Sequence, residues 1–334
     1  MKQSILALAD LATPMAVRVA ATLGLAEHGE ATAAELAAAT GASAPALTCL
    51  LDHLVTAGVF ACDAESGRYR PTELGAQLRT DGAKLLLDIH AAGGRAELAF
   101  ADLLGTITTG RPAYEQRYGR DFWADIDADP RLRRTFDAQM NWRFRTQAPQ
   151  IAARFGWGRF PRIVDVGGGD GVVLAEILRA HPAVRGEVLD LAPSAAAAAA
   201  RFAADGLGDR ASAVAGSFFD PLPPGADAYV LSDILHDWDD DHARTILTGC
   251  RRAAGAHGTV VVIEPLRRAA GTAMDLFMLM CFGGRERTAA ELTALAQECG
   301  LVLRGTTEVA EGRTALEFGP APEPARLPLP HPGS

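Results

Sequence analysis

The sequence predicts an α/β chain, with a parallel sheet covered on both faces by helices and a smaller helical unit before it. Three observations predict it. From residue 162 to 319, short apolar runs alternate with helical stretches, the pattern of a parallel sheet buried on both sides. Residues 1 to about 80 are Ala/Leu-rich and repeat with helical period. The length, 334 residues, amounts to about two domains at roughly 150 residues each.

The elements follow in order. Leu6, Leu8, Leu11, Met15, Val19 and Leu23 form one apolar stripe on an N-terminal helix. Thr32 followed by Glu35 is a capping box. Gly41 stops that helix, and Ser43 to Ala57 reads as the next. VFACDAESGRYRPT then reads as two short strands around a Glu-Ser-Gly turn. Helix, turn, helix and hairpin together make a winged-helix pattern over residues 1–80. Residues 81–155 read as a helical linker, with a strong run from Arg131 to Ala153 started by Asp129-Pro130. Strands are expected at 162–167, 186–190, 211–218, 228–234, 259–265 and 314–319, with helices at about 171–181, 193–205, 240–254 and 288–299, in a domain spanning 156–319. The Pro-rich tail, 320–334, reads as disordered.

Composition narrows the function. Hydrophobic residues at 49% and charged residues at 22% suit a chain with a large core. Lys+Arg number 32 against 41 Asp+Glu, a net charge of −9. That balance argues against a broad footprint on nucleic acid or an anionic membrane. No stretch is expected to reach the length of a membrane helix, because Asp10 and Arg18 interrupt the N-terminal run, which also lacks the features of a secretory signal. Five scattered cysteines without a CxxC argue against a disulfide framework or zinc ribbon and suggest a reducing cytoplasm.

The sharpest local signal is IVDVGGGDGVVLAEIL. A strand ends near Asp165, and Gly167-Gly168-Gly169-Asp170-Gly171 turns the chain into a helix. Glycines there let the backbone approach a ligand, at the strand ends where open α/β sheets bind ligands. Asp190 ends the next strand and can accept both ribose hydroxyls of a nucleoside. A Gly-rich turn alone would equally suit NAD. Asp165 and Asp170 would repel a pyrophosphate, however, and favour a cationic, phosphate-free nucleoside such as S-adenosylmethionine (SAM).

The ordered set DLATPMAVRVAATLGLAEHG, VDVGGGDG, LDLAP, GSFFDPLP, LSDILHDWDDDHARTIL and GGRERTAAEL resembles the class I, SAM-dependent O-methyltransferases of the plant caffeate and bacterial polyketide type, over nearly the whole chain to residue 319. The resemblance implies a Rossmann-like SAM-binding domain and an N-terminal winged-helix-like domain that makes an intertwined homodimer. It places Gly167 and Gly169 against the methionine part of SAM, Asp190 at the ribose and Ser232 at another cofactor position. Ser217-Phe218 stands where the family has an Asp followed by an apolar residue at the adenine, so Ser217 is a departure that loses the charged acceptor. Arg133 is a candidate for the SAM carboxylate.

His236 follows the fourth strand of the sheet. A lone histidine there could equally cap a helix or pack beside Trp238. It matches the family's general base, and a phenol with a pKa near 10 needs a base at neutral pH. The resemblance offers Glu264 and Glu286 as carboxylates that orient it. Read alone, Glu264 would be a solvated strand end and Glu286 a surface salt bridge to Arg285 or Arg287. Asp237 reads as a cap for the helix that follows. Phe136, Met140, Trp142, Phe277, Met278, Met280 and Phe282 lie where the family builds an acceptor pocket, which would suit a flat aromatic molecule. No metal site is expected, since His236 and His242 lack a third ligand at suitable spacing.

The implied activity is methyl transfer from SAM to a hydroxyl of a small aromatic acceptor, with a small molecule and a second copy of the chain as partners. Alternatives are methylation of carbon (as on an α-keto acid) or nitrogen on the same fold, a relative that uses SAM without methyl transfer, an NAD-dependent dehydrogenase, and a DNA-binding regulator. The last is disfavoured because APALTCLLDHLVTAG carries no Lys or Arg.

Overall fold

A computed structural model of the chain describes residues 4–267 and 272–322. It divides into two compact units, Met1–Arg143 and Phe144–Ser334, and the boundary falls inside the helix Pro130–Arg154.

In the first unit, Thr32 and Glu35 form the expected capping box of helix Ala33–Thr40, and Gly41 ends it in the left-handed conformation. Helix Ala44–Thr56 follows. Strands β1 (Ala31–Thr32), β2 (Phe60–Cys62) and β3 (Arg68–Pro71) make a small sheet in the order β1-β3-β2. Leu36, Leu47, Leu51, Leu54 and Phe60 are buried in its core. Full burial of such side chains stabilises by about 1.5–3 kcal/mol each.

The N-terminal stripe differs from expectation. Asp10 splits it into helices Ile5–Leu8 and Ala12–Thr22 by accepting hydrogen bonds from the Ala12 and Thr13 amides. Ile5, Leu6, Leu8 and Leu11 are exposed. By length and composition Ile5–Thr22 does reach the range of a membrane helix, with a mean hydropathy of 1.4. The expectation that no stretch would do so is corrected, because alanines and leucines around the two charges raise the average.

The second unit holds strands β4 (Arg162–Val166), β5 (Arg185–Asp190), β6 (Ala211–Ala215), β7 (Ala228–Ser232), β8 (Thr259–Glu264), β9 (Leu301–Ala310) and β10 (Arg313–Pro320). Their order is β6-β5-β4-β7-β8-β10-β9. The first five are parallel, and β10 runs antiparallel to both β8 and β9. The sheet is therefore mixed, a correction to the all-parallel expectation. β9 and β10 are joined only by Glu311-Gly312, and a connection that short permits only antiparallel pairing. β9 itself was not expected; Arg304, Thr306, Thr307 and Glu308 mask its strand pattern.

Side chains alternate between the two faces of the sheet. Ile163, Val188, Val230, Val261 and Ile263 pack into a core with Leu174 and Leu178 of helix Val172–Ala180. Val164, Val166, Leu231, Val260 and Val262 pack on the other side with Ile246, Leu247 and Cys250 of helix Asp240–Ala254. Helices Ala192–Ala204 and Ala289–Glu298 match expectation, whereas Ala273–Phe282 is additional. Strand order reverses between β4 and β7, the point where open α/β sheets form a ligand crevice. The carboxyl ends of β4, β5, β7 and β8 carry the glycine turn, Asp190, Ser232 and Glu264. The tail from residue 323 onward lies outside the described residues.

Candidate active site

The glycine turn is built from three positions that need glycine for different reasons. Gly169 has φ +59, and a Cβ placed on it would meet nothing within 4 Å. Its backbone therefore borders open space. Gly167 has φ +74, and a Cβ there would lie 2.6 Å from Ile234 Cδ1 and 3.4 Å from Phe218 Cδ1. It lets the turn pack against the segment after β7. At Gly168 a Cβ would strike the Asp165 carboxyl at 2.6 Å.

Asp190 ends β5 beside this turn. Its Oδ2 accepts from the Gly169 amide at 2.8 Å, and its Oδ1 accepts from the Leu191 amide at 2.6 Å. The two amides fix the carboxylate at the edge of the turn. Asp165 is fully buried and neither of its oxygens has a hydrogen-bond partner. Burial, with the Asp190 charge nearby, pushes its carboxyl up to about 7. Asp170 behaves differently from expectation. It forms an ion pair with Arg201, and burial favours the neutral form of Asp165, so of the acids at this turn Asp190 is the one left to oppose a pyrophosphate.

Ser217 and Phe218 lie just past β6, which ends three residues earlier than the sequence suggested. Ser217 Oγ accepts from the Phe219 amide at 3.1 Å. Phe218 meets Phe219 and Trp238 edge to face. Ser232 ends β7, and its buried hydroxyl has no partner. Buried polar atoms of this kind call for a partner. Together with the open space at Gly169 and the carboxylate of Asp190 beside it, they fit a nucleoside.

The turn after β7 carries the second half of the site. Asp233 has φ +55, the single non-glycine residue with positive φ among those described. It pairs with Arg313 of β10. His236 follows on a short 3₁₀ turn, Leu235–Asp237, and is only 4% exposed. Its Nδ1 lies 2.8 Å from Glu264 Oε2, out of line for a well-formed hydrogen bond, and its Nε2 lies 3.4 Å from Asp237 Oδ1. Glu264 is buried, not a solvated strand end. Its Oε1 accepts from the Ile234 and Leu235 amides at 3.1 and 2.7 Å. Burial opposes a charge on His236, but Glu264, Asp237 and Asp233 outweigh it and push the imidazole up to about 9.

Asp237 is not the helix cap. Asp239 is, with its carboxylate accepting from the His242 amide at 2.9 Å. Glu286 is buried, and its amide donates to Asp275 at 3.0 Å. Ligand atoms of Asp233, His236 and Glu264 lie within 4.8 Å of one another, a grouping that spacing does not reveal. Sequence reasoning also missed Arg287, which is 2% exposed and bonds to the Leu235 and Trp238 carbonyls. The signal lay in GGRERT, but the partners are about fifty residues away.

Met278, Met280 and Cys281 are buried on helix Ala273–Phe282, and Phe277 and Phe282 meet edge to face. Phe136, Met140 and Trp142 belong to the first unit. There Phe136 packs against Phe122 and Trp123, and Trp142 lies against Gly82. Arg133 also belongs to the first unit and pairs with Asp127.

Residues 6–81 match the model of the O-methyltransferase dimerisation domain, and residues 100–302 match that of the O-methyltransferase domain. A 2,7-dihydroxy-5-methyl-1-naphthoate 7-O-methyltransferase of Streptomyces carzinostaticus is 51% identical over 89% of this chain and 92% of its own length. An aclacinomycin 10-hydroxylase of Streptomyces purpurascens is 42% identical over 93% of this chain and 86% of its own. A crystal structure of an O-methyltransferase from neocarzinostatin biosynthesis, in complex with SAM and 2-hydroxy-5-methyl naphthoic acid, superimposes with a TM-score of 0.92 at 48% identity, covering 96% of this chain and 100% of that one. With a glycine turn at the sheet's switch point, and with both domain models matched in order, the chain belongs to the SAM-dependent O-methyltransferase family and is a methyltransferase.

Proposed function

We propose that the enzyme methylates a hydroxyl of a small, flat aromatic acceptor, a naphthoate or similar polyketide phenol, with His236 as general base. The observation that carries this reading is the buried His236–Glu264 pair at the carboxyl edge of β7 and β8, on a segment whose Ile234 packs against the glycine turn. Glu264 faces Nδ1, so Nε2 is the atom that takes the proton from the acceptor hydroxyl. Glu264 also stabilises the imidazolium that results. Glu286 stands as a further candidate for orienting the ring.

Gly167, Gly169, Asp190, Ser217, Phe218 and Ser232 are the residues that would hold SAM. Asp190 would take the ribose hydroxyls and Phe218 the adenine face. When bound, SAM supplies an electrophilic methyl group on a sulfonium. The chain's own contribution is to hold the acceptor oxygen in line, exclude water and remove its proton.

The exposed row Ile5, Leu6, Leu8 and Leu11 supports a homodimer through residues 1–80, since an apolar surface of that kind marks an interface. Helix Ala44–Thr56, without Lys or Arg, supports a small molecule rather than nucleic acid as the partner. The reading places the enzyme in the cytoplasm.

The test is His236→Ala assayed on 2,7-dihydroxy-5-methyl-1-naphthoate. Loss of a general base lowers turnover by about 100-fold or more, while calorimetry should find S-adenosylhomocysteine affinity unchanged. Turnover near that of the parent would defeat the reading. Mass spectrometry of the parent's product must show a gain of one methylene; a gain of one oxygen would point instead to hydroxylase chemistry.

A further inference from the structure

The base-bearing turn holds itself together poorly. Its own backbone hydrogen bonds, Asp237 amide to Ile234 carbonyl and Trp238 amide to Leu235 carbonyl, are both 3.3 Å long. The amide side at Ile234 and Leu235 is spent on Glu264. The carbonyl side is gripped by one buried cation. Arg287 Nη1 donates to the Leu235 carbonyl at 2.7 Å, and Nη2 donates to the Trp238 carbonyl at 2.8 Å. Those two carbonyls stand on either side of His236.

The grip is itself anchored. Arg287 Nε and Nη2 donate to Asp240 Oδ1 at 2.9 and 2.8 Å. The Arg287 carbonyl accepts from the Arg267 amide at 3.0 Å, which ties it to the segment leaving β8. Gly284, just upstream, is pressed so closely to the turn that a Cβ on it would lie 2.2 Å from the His236 carbonyl oxygen. A planar guanidinium with five donors can hold two carbonyls and a carboxylate at once, which a lysine ammonium cannot do in the same geometry.

We infer that Arg287 is a positioning residue for methyl transfer: by bridging the Leu235 and Trp238 carbonyls it fixes the turn and so holds the His236 ring against Glu264 and toward the acceptor. The inference rests on the reading of His236 as base. Proton transfer and near-attack alignment both depend on placement to within about an ångström, and a displacement of that size can cost about 100-fold in rate.

Arg287→Met and Arg287→Lys test it, assayed as full-length enzyme on 2,7-dihydroxy-5-methyl-1-naphthoate. Arg287→Met should lower kcat by about 10- to 100-fold and Arg287→Lys by less, with KM for the acceptor and S-adenosylhomocysteine affinity near the parent's. The midpoint of the pH–kcat/KM profile, which reports the free enzyme, should also fall from about 9 toward 6.5, because a displaced ring loses the Glu264 carboxylate. Asp237 and Asp233 are the other acids facing the ring, and Asp233 is already paired with Arg313. Unchanged kcat and midpoint would overturn the assignment. So would a loss of activity matched by an equal loss of S-adenosylhomocysteine affinity with the midpoint unmoved, since that describes general destabilisation. If Arg287→Met does not fold, Arg287→Lys decides by the same criteria. An active His236→Ala enzyme would remove the base reading itself, whereas an inactive His236→Ala beside a fully active Arg287→Lys would remove only the role of Arg287.

Discussion

The two halves of the site are made in opposite ways. At the ends of β4 and β5 the chain forms a space by leaving side chains out: glycines at positive φ, an open approach at Gly169, and one acid fixed by backbone amides. At the end of β7 it does the reverse, crowding Glu264, Asp237, Asp233, Arg313 and Arg287 around one imidazole. The first arrangement suits a ligand recognised by shape and by ribose hydroxyls. The second sets the proton affinity and orientation of a single ring. Perturbed titration collects where chemistry happens, and both halves hold a buried group moved toward or past neutral pH.

The comparison breaks most sharply at Glu264. Glu264→Gln removes the negative charge while keeping an oxygen for the Ile234 and Leu235 amides. Turnover should fall by up to about 100-fold, the low end for losing a positioned base, and the midpoint of the pH–kcat/KM profile should drop below about 9. Stability gives an independent sign. A histidine whose pKa is raised by folding stabilises the fold fully below its ordinary 6.5, and that contribution fades as pH rises through about 9. The melting-temperature gap between parent and variant should therefore be widest below pH 6.5 and close by about pH 9. A gap independent of pH would mean that the ring and the carboxylate are not coupled.

Asp190→Ala probes the other half. Losing a charge-assisted acceptor costs about 1.5–3 kcal/mol per hydrogen bond, so S-adenosylhomocysteine should bind roughly 10- to 100-fold more weakly by calorimetry. Unchanged affinity would show that the ribose is held elsewhere. Asp165 is expected to act on stability and least on turnover. Its carboxyl ionises near 3.8 when unfolded and at about 7 when folded. The fold's preference for the protonated acid is fully present below pH 3.8 and is lost as pH rises through about 7. Asp165→Asn, which cannot ionise, should gain melting temperature relative to the parent between pH 4 and pH 8. A difference that stays flat across that range would mean that the acid finds a partner.

These contrasts explain what could be read from the sequence. The glycine turn and Asp190 were legible because the signal is local: a strand, a run of glycines and an acid at the end of the next strand. His236 was legible as a residue but not as an environment. Glu264, which faces the ring, comes from β8; Arg287, which holds the Leu235 and Trp238 carbonyls, from the GGRERT loop; and Arg313, which pairs with Asp233, from β10, so the fold and not local spacing assembles the setting. Asp237 looked like a cap because it precedes the helix, yet Asp239 is the residue whose carboxylate meets the free amides. β9 went unread because its polar residues resemble a loop.

The insertion of β10 between β8 and β9 has a consequence for how the enzyme comes into being. Arg313, on the last strand of the sheet in chain order, pairs with Asp233. A ribosome that has released the chain only as far as β8 has already made every residue of the cofactor turn and the histidine itself. It has not yet made Arg313, so the Asp233–Arg313 pair can form only once β10 joins the sheet beside β8.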